Sequence, residues 1–302
     1  MQQFQSAGYD RALTLFSPDG RLFQIEYARE AVKRGTTAIG IKSKDGIIFV
    51  VDKKIKSKLI EPTSVEKIFK IDEHIATASS GLVADARRLV DIARNQAQVN
   101  RLRYHEPITV TGLAKYLGDL EQMYTQSGGV RPFGISLIIG GVSDGECKIY
   151  ETDPSGAIVE YKATAIGLGR DKALDLFEEK YDDDMDMANA IDLAIEGIFE
   201  ANSGKVTEDS IEISVVDKES AKYRKLEDEE IEGYVKKLLD RKEEERLEAE
   251  RKAEEERAEK EARKAQLKAE REEKENQEAE ESEENTDDDQ KEEESSEEPS
   301  EE

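Results

Sequence analysis

The chain has 302 residues, 38% of them charged, and its net charge of −26 argues against a nucleic-acid-binding surface, which needs lysine and arginine to neutralise phosphates. The single cysteine, Cys147, excludes an intramolecular disulfide and fits a reducing compartment, and no apolar run approaches the ~20 residues of a membrane span. The N-terminus also lacks the features of a secretory signal, so we expect a cytoplasmic protein that binds neither membranes nor nucleic acid.

The first predicted element is a helix from about Gly20 to Arg34. Its apolar residues recur at helical spacing and share one face, which comprises Leu22, Ile25, Ala28, Ala31 and Val32. Ser17 and Asp19 precede the helix and are candidate N-caps, because their side chains can accept hydrogen bonds from first-turn amides. Gly35 follows the last turn and is expected to end the helix.

Two β-hairpins come next in the predicted order. The apolar segments 36–42 and 46–52 are joined across Asp45-Gly46, a dipeptide typical of tight hairpin turns. The segments 67–72 and 74–80 form the second predicted hairpin.

The middle of the chain switches to helical spacing and then back to strands. Residues 82–103 and 110–126 predict two helices. Residues 134–142 and 146–153 predict a further hairpin, and we expect one more strand over 157–167. The near-continuous apolar run in 134–142 indicates a strand buried on both faces.

Two more helices, near 170–180 and 186–201, lead to a strand over 210–217. Strands in two groups, each followed by a pair of helices, predict antiparallel sheets faced by helices. The sequence therefore predicts an α+β fold in the form of a four-layer αββα sandwich.

The C-terminal part has a different composition. Residues 241–302 contain 29 acidic and 13 basic residues and almost no large apolar side chains, so they cannot supply a packed core. Glutamate and lysine or arginine four residues apart, such as Glu256 and Lys260, predict a solvated helix over 227–275. We expect disorder beyond Asn276. The predicted boundaries are a globular domain that ends at 240 and a charged, helical or disordered tail over 241–302.

Four motifs resemble those of one protein family. The segments "YDRALTLFSPDGRLFQIEYAREAVKRGTTAIG", "SGLVADAR", "GGVRPFGISL" and "YKATAIG" resemble the α subunits of the 20S proteasome, most closely the archaeal type. The resemblance runs from about Tyr9 to about Leu239. Its N-terminal motif distinguishes α subunits from their catalytic β relatives.

This resemblance implies an Ntn-hydrolase-like fold and a noncatalytic subunit without cofactors. Seven such subunits form the outer ring of a barrel-shaped protease and stack on rings of β subunits, which carry the active sites. The implied partners are other α subunits, β subunits, the C-termini of a regulatory AAA ATPase, and unfolded protein substrates in transit. The implied process is ATP-dependent, ubiquitin-independent protein degradation.

The resemblance also places a copy of the β-type active site in this chain. The threonine nucleophile, acid and lysine of the β relatives fall near Thr36, Asp52 and Lys67. Such a threonine uses its own free α-amine as the base, and here 35 residues precede it. We therefore expect no catalytic residue. The alternatives are a self-processed threonine hydrolase that begins at Thr36 and a standalone binding module with an acidic tail.

A gate is the first function that the resemblance implies. Residues 1–12 would cover the entrance pore. Tyr9, Asp10, Pro18 and Tyr27 would hold the gate in its open arrangement, and Arg11 belongs to the same motif. The residue types suit the role, because Pro18 fixes a turn and Asp10 can accept a hydrogen bond from the Tyr27 hydroxyl.

A docking pocket and a channel loop are the other implied sites. Lys67, Gly81 and Leu82 would bind the ATPase tail, whose last three residues are hydrophobic-Tyr-any, in a pocket between neighbouring subunits. Its terminal carboxylate would meet Lys67 and the N-terminus of the following helix. The loop 127–134 would line the channel and contact the neighbouring subunit through Gly128, Gly129, Val130 and Arg131. Its two glycines would permit close backbone approach. We expect no metal site, because the sequence has no Cys/His cluster with zinc spacing.

Overall fold

The computed structural model describes residues 14–54, 57, 59–61, 64–207 and 210–293. The chain divides into two units, Met1–Leu239 and Asp240–Glu302, and the first unit contains two five-stranded antiparallel sheets.

The first sheet consists of β1 (Ala38–Lys42), β2 (Gly46–Asp52), β8 (Ala163–Ile166), β9 (Ile211–Asp217) and β10 (Lys222–Lys225). Its strand order is β10-β9-β2-β1-β8. The predicted hairpin of β1 and β2 is confirmed, with Ala38 opposite Val51.

The second sheet consists of β3 (Ile68–Asp72), β4 (Ile75–Gly81), β5 (Ile135–Ser143), β6 (Glu146–Thr152) and β7 (Ile158–Tyr161). These strands follow one another in the sheet in chain order. The first eight residues of β5 are buried, as expected for a strand covered on both faces.

The helices are α1 (Phe23–Lys33), α2 (Val83–Tyr104), α3 (Val110–Gln126), α4 (Arg170–Lys180), α5 (Met187–Ala201) and α6 (Asp228–Glu293). Helices α4 and α5 pack on the first sheet together with the start of α6, and α2 and α3 pack on the second. A third apolar cluster, which includes Phe49, Ile138 and Ile149, fills the space between the sheets. The predicted four-layer αββα sandwich is therefore confirmed.

The predicted strand over 157–167 is wrong in one respect, because it is two strands in different sheets. β7 pairs with β6 in the second sheet, whereas β8 pairs with β1 in the first. The chain crosses between the sheets at Lys162, whose carbonyl accepts a hydrogen bond from the Lys42 amide at 2.8 Å. The short strand β10 was also missed, because its residues are mostly charged and exposed.

Helix α1 begins later than predicted and has no side-chain cap. Its N-cap is Leu22. Ser17 instead organises the preceding turn, where its carbonyl accepts the Gly20 amide at 2.9 Å and its hydroxyl accepts the Arg21 amide at 3.0 Å. The predicted apolar face is confirmed at its centre, since Ile25, Ala28 and Val32 are buried.

Helix α6 has an apolar, packed start and a charged remainder. At its start, Ile231, Val235 and Leu238 contribute to the core beside the first sheet. Further along, the described side chains carry the predicted ion pairs, including Lys260–Glu256 at 3.3 Å and Lys252–Glu248 at 3.0 Å. The helix continues to Glu293, so the predicted disorder beyond Asn276 is wrong as far as that residue. Glutamate, which favours helices, occupies seven of the 17 positions over 277–293.

A buried carboxyl group lies between α3 and the second sheet. Glu121 is fully buried; its Oε1 accepts a hydrogen bond from the Thr152 hydroxyl at 3.2 Å, and its Oε2 has no partner among the described residues. Burial raises the pKa of Glu121 to about 8, and the nearby Asp153 adds to this, whereas the bond from Thr152 opposes it. The carboxyl group is therefore protonated in the folded chain at neutral pH.

This group predicts a pH-dependent stability. The folded-state pKa lies above the unfolded value, so the folded chain binds the extra proton, and its stability falls as pH rises from about 4.5 to about 8. Glu121→Gln removes this titration. We expect the wild type to lose up to about 1.4 kcal/mol per pH unit relative to the variant in that window. Denaturant unfolding of both chains between pH 5 and 8 measures this difference in unfolding free energy. If the two free energies changed in parallel with pH, the prediction would be contradicted.

Candidate functional site

The structure brings together the three residues at the β-type catalytic positions. Thr36 precedes β1, Asp52 ends β2, and Lys67 precedes β3. The Thr36 hydroxyl donates a hydrogen bond to the Asp52 carbonyl oxygen at 2.5 Å. The Lys67 ammonium group donates to the same hydroxyl. The predicted cluster is therefore present as a set of contacts.

The buried position of Lys67 disfavours the charged form of its side-chain amine. Burial lowers the pKa of Lys67 to about 8, and the negative charge of Asp52 offsets part of this effect. The Asp52 carboxylate is itself buried and accepts hydrogen bonds from the Lys54 amide at 3.0 Å and from the Asn202 side chain at 3.1 Å. Lys67 thus interacts with this carboxylate through its charge, whereas its hydrogen bond goes to the Thr36 hydroxyl.

The backbone on both sides of Thr36 is held by the fold. The carbonyl of Gly35 accepts the Leu168 amide at 2.9 Å, and the carbonyl of Thr36 accepts the Ser80 hydroxyl at 2.9 Å. The Thr36 nitrogen is part of a peptide bond to Gly35, so it cannot act as the free-amine base that this chemistry requires. In this chain the threonine side chain serves as a hydrogen-bonding partner.

A cavity of about 690 Å³ lies at the end of α1. Its lining combines one face of that helix with the start of α2 and comprises Tyr27, Glu30, Ala31, Arg34, Gly35, Gly81 and Leu82. Two of the three predicted pocket residues, Gly81 and Leu82, therefore line it. Lys67 does not, because its ammonium group points to Thr36.

The positions of Gly81 and Leu82 have separate physical explanations. Gly81 has φ +126°, and a Cβ atom there would lie 2.3 Å from the Gly134 carbonyl oxygen, so only glycine fits. Leu82 is the N-cap of α2, its amide donates to that same oxygen at 2.9 Å, and its residue surface is 44% exposed. The first amides of α2 follow directly, at the positive end of the helix dipole.

Sequence reasoning missed three helical neighbours of this cavity. Glu30, Ala31 and Arg34 line it together with Tyr27. The signal was available, because positions three, four and seven residues after Tyr27 lie on the same face of a helix. That face overlaps the predicted apolar face at Ala31, which was assigned to packing and not to the pocket.

The predicted gate residues fall partly within the structure. Pro18 occupies the second position of the turn that Ser17 and Gly20 close, where its fixed φ is favourable, and it is exposed. The Tyr27 residue is 51% exposed and stacks on Phe23 with 6.4 Å between ring centroids. Tyr9, Asp10 and Arg11 lie outside the described residues.

The predicted channel loop connects α3 to β5 and is anchored within this chain. Arg131 forms two hydrogen bonds to the Asp85 carboxylate, at 2.7 and 2.8 Å, and the Gly134 amide donates to it at 2.9 Å. Burial alone would raise the pKa of Asp85, but these bonds outweigh it and lower that pKa. One of the four predicted contact residues, Arg131, is thus already bound to α2.

The expected close backbone approach at Gly128 and Gly129 is absent within the described chain. A Cβ atom at either position would meet no atom within 4 Å. Gly129 is instead explained by its φ of +85°, which a side chain would disfavour. Val130, at the centre of the loop, is 37% exposed.

Metal-binding and membrane-spanning features are both missing from the part of the chain that the structure describes. Its residues include no group of three or more His, Cys, Asp or Glu side chains placed to hold a metal ion. None of the helices in that part combines the length and apolar character needed to cross a bilayer.

Comparison with known proteins gives the family. Residues 32–216 match the model of the family described as proteasome subunit, and residues 9–31 match the N-terminal signature of A-type proteasome subunits. The proteasome alpha subunit of Methanothermobacter thermautotrophicus is 62% identical over 248 residues, which cover 82% of this chain and 100% of that protein. The protein of the same name from Methanobrevibacter smithii is 60% identical over 239 residues, or 79% of this chain and 96% of that protein. The proteasome alpha subunit of Methanopyrus kandleri is 56% identical over 245 residues, which cover 81% of this chain and 98% of that protein.

The N-terminal signature decides between the two types of subunit. It covers residues 9–31, within the segment before Thr36 that a self-processed threonine hydrolase would have to remove. The helix in that segment is packed on β4 and β5. The chain therefore belongs to the proteasome subunit family, as a noncatalytic α-type subunit of the 20S core particle.

Proposed function

We propose that this chain assembles with six copies of itself into the outer ring of the core particle, gates the entrance with residues 1–12, and docks a regulatory AAA ATPase. Rings of β subunits would stack on it and cleave unfolded substrates that pass the gate in the cytoplasm. The observation that carries the docking function is the cavity between α1 and the start of α2, with Gly81 and Leu82 in its wall.

The chemistry of this cavity suits a peptide that ends in a free carboxylate. Leu82 and Ala31 offer apolar contacts for the hydrophobic residue of the tail, and Tyr27 offers an aromatic neighbour for its tyrosine. The first amides of α2 favour a negative charge. Lys67 lies near this cavity, since its partner Thr36 directly follows the lining residue Gly35.

Native mass spectrometry after coexpression with a catalytic β subunit tests the assembly. We expect a stacked complex of α and β rings. A monomer of this chain under those conditions would contradict the proposal.

Deleting residues 2–12 tests the gate. We expect this deletion to open the channel, so that the assembled complex hydrolyses long unstructured peptides faster. Cleavage of very short peptides should change less, because they already pass a closed gate. The measurement compares both substrates with the intact complex, and unchanged hydrolysis of the long peptide would contradict the gate assignment.

A further inference from the structure

Lys67 is turned away from the cavity in which the proposed function needs it. Its ammonium group donates a hydrogen bond to the Thr36 hydroxyl, and none of its atoms belongs to the cavity lining. Gly35, the residue before Thr36, is part of that lining. A carboxylate in the cavity would therefore meet Lys67 only after the lysine had left Thr36.

We propose that Thr36 is a positioning residue that holds Lys67 in an inward state, so that a docking C-terminal carboxylate must compete with the Thr36 hydroxyl for the lysine. This inference rests on the proposed docking function. Thr36, which lies at the position of the β-type nucleophile, would thereby set the affinity of the docking site.

The Thr36 hydroxyl is well fixed for this role. Its proton is donated to the Asp52 carbonyl oxygen at 2.5 Å, which leaves its lone pairs free to accept from Lys67. The carbonyl of Thr36 is held by Ser80, and that of Gly35 by Leu168. The acceptor therefore stays in place whether or not the lysine is bound to it.

The inward position of Lys67 imposes a desolvation cost on its charged form. Burial lowers the pKa of Lys67 to about 8, with partial relief from Asp52, which means that the inward site disfavours the charged form. A carboxylate in the cavity offers that charge a direct partner. Such a ligand would shift Lys67 towards the cavity by as much as it favours the outward position over the inward one.

The expected effect follows from the population of the outward state. The apparent affinity of a ligand is the intrinsic affinity multiplied by the fraction of sites that are competent to bind. Removing one acceptor of the inward state raises that fraction. Thr36→Val should therefore increase affinity for the docking ligand, by about two- to ten-fold if the lost hydrogen bond has an ordinary strength.

The experiment uses assembled particles of this chain with a β partner. The probe is a fluorescent synthetic heptapeptide that ends in Leu-Tyr-Ala with a free carboxylate, and its C-terminal amide is the control ligand. Binding is measured by polarisation for wild type, Thr36→Val, Thr36→Ser and Lys67→Ala. We expect tighter binding for Thr36→Val, binding near that of wild type for Thr36→Ser, which keeps the hydroxyl, and little difference between variants with the amide.

A gain in affinity separates positioning from a purely structural role, because damage to the site would weaken binding. Unchanged or weaker binding by intact Thr36→Val particles, with Lys67→Ala strongly impaired, would overturn this inference and leave the docking function standing. Undiminished binding by Lys67→Ala would instead overturn the docking role of Lys67. In the double variant Lys67→Ala/Thr36→Val, the gain should disappear.

A second measurement does not depend on Thr36→Val assembling. Lys67 in Thr36→Ala and wild-type chains is acetylated with a small N-hydroxysuccinimide ester, and the modified fraction is read by peptide mass spectrometry against the exposed Lys70. We expect faster modification of Lys67 in the variant, because its amine spends more time in the cavity. Equal rates in the two chains would overturn the inference.

Discussion

Deleting residues 2–35 should abolish ring formation, whereas deleting residues 2–12 should preserve it. The longer deletion removes α1, which packs on β4 and β5 and buries Ile25, Ala28 and Val32. Burying each large apolar side chain stabilises a fold by about 1.5–3 kcal/mol. The deletion also removes the Gly35 carbonyl that accepts the Leu168 amide at 2.9 Å and one wall of the cavity.

The assay compares both deletions with the intact chain by native mass spectrometry, each with a catalytic β partner. The shorter deletion is the matched control, because it retains α1 and the turn before it. The longer deletion should also fail to create peptidase activity in an isolated α subunit, even though Thr36 would then lie at the N-terminus. Rings formed without α1 would refute the structural role of the helix.

Lys67→Ala should abolish stimulation by the ATPase while leaving ring assembly and short-peptide hydrolysis intact. Losing a charge-assisted contact with a carboxylate costs ~1.5–3 kcal/mol per site, which weakens docking about 10- to 150-fold. Assembly should survive, because the lysine lies outside the apolar clusters between and beside the sheets.

The matched control is Lys70→Ala, which removes the same charge from an exposed position on β3. ATPase-stimulated protein degradation is measured for both variants and the wild type. Undiminished stimulation in Lys67→Ala particles would contradict the docking role.

Burial lowers the pKa of Lys67 to about 8. Docking in the wild type should therefore also weaken as pH rises through that value, since the bound lysine must be charged.

Much of the layered fold could be predicted because its signals are local. Apolar runs such as that of β5, the Asp45-Gly46 turn and helical spacing in α2 each report on residues that are close in sequence. The split between β7 and β8 could not be predicted in the same way. Both strands are short and only Lys162 separates them, and their partners, β6 and β1, place them in different sheets.

For the candidate sites too, some features follow from the sequence and others only from contacts in the folded chain. Residue identity and order were enough to establish the family, the absence of a free amine at Thr36, and the glycine and leucine at the start of α2. Contacts in the folded chain were needed to learn that Lys67 bonds to Thr36 while Gly81 and Leu82 face the cavity. A lysine side chain is long and flexible enough to reach either partner, so its position depends on contacts between strands that are distant in sequence. The same reason explains Arg131, whose place in the loop follows from the motif but whose bond to Asp85 depends on α2 passing beside it.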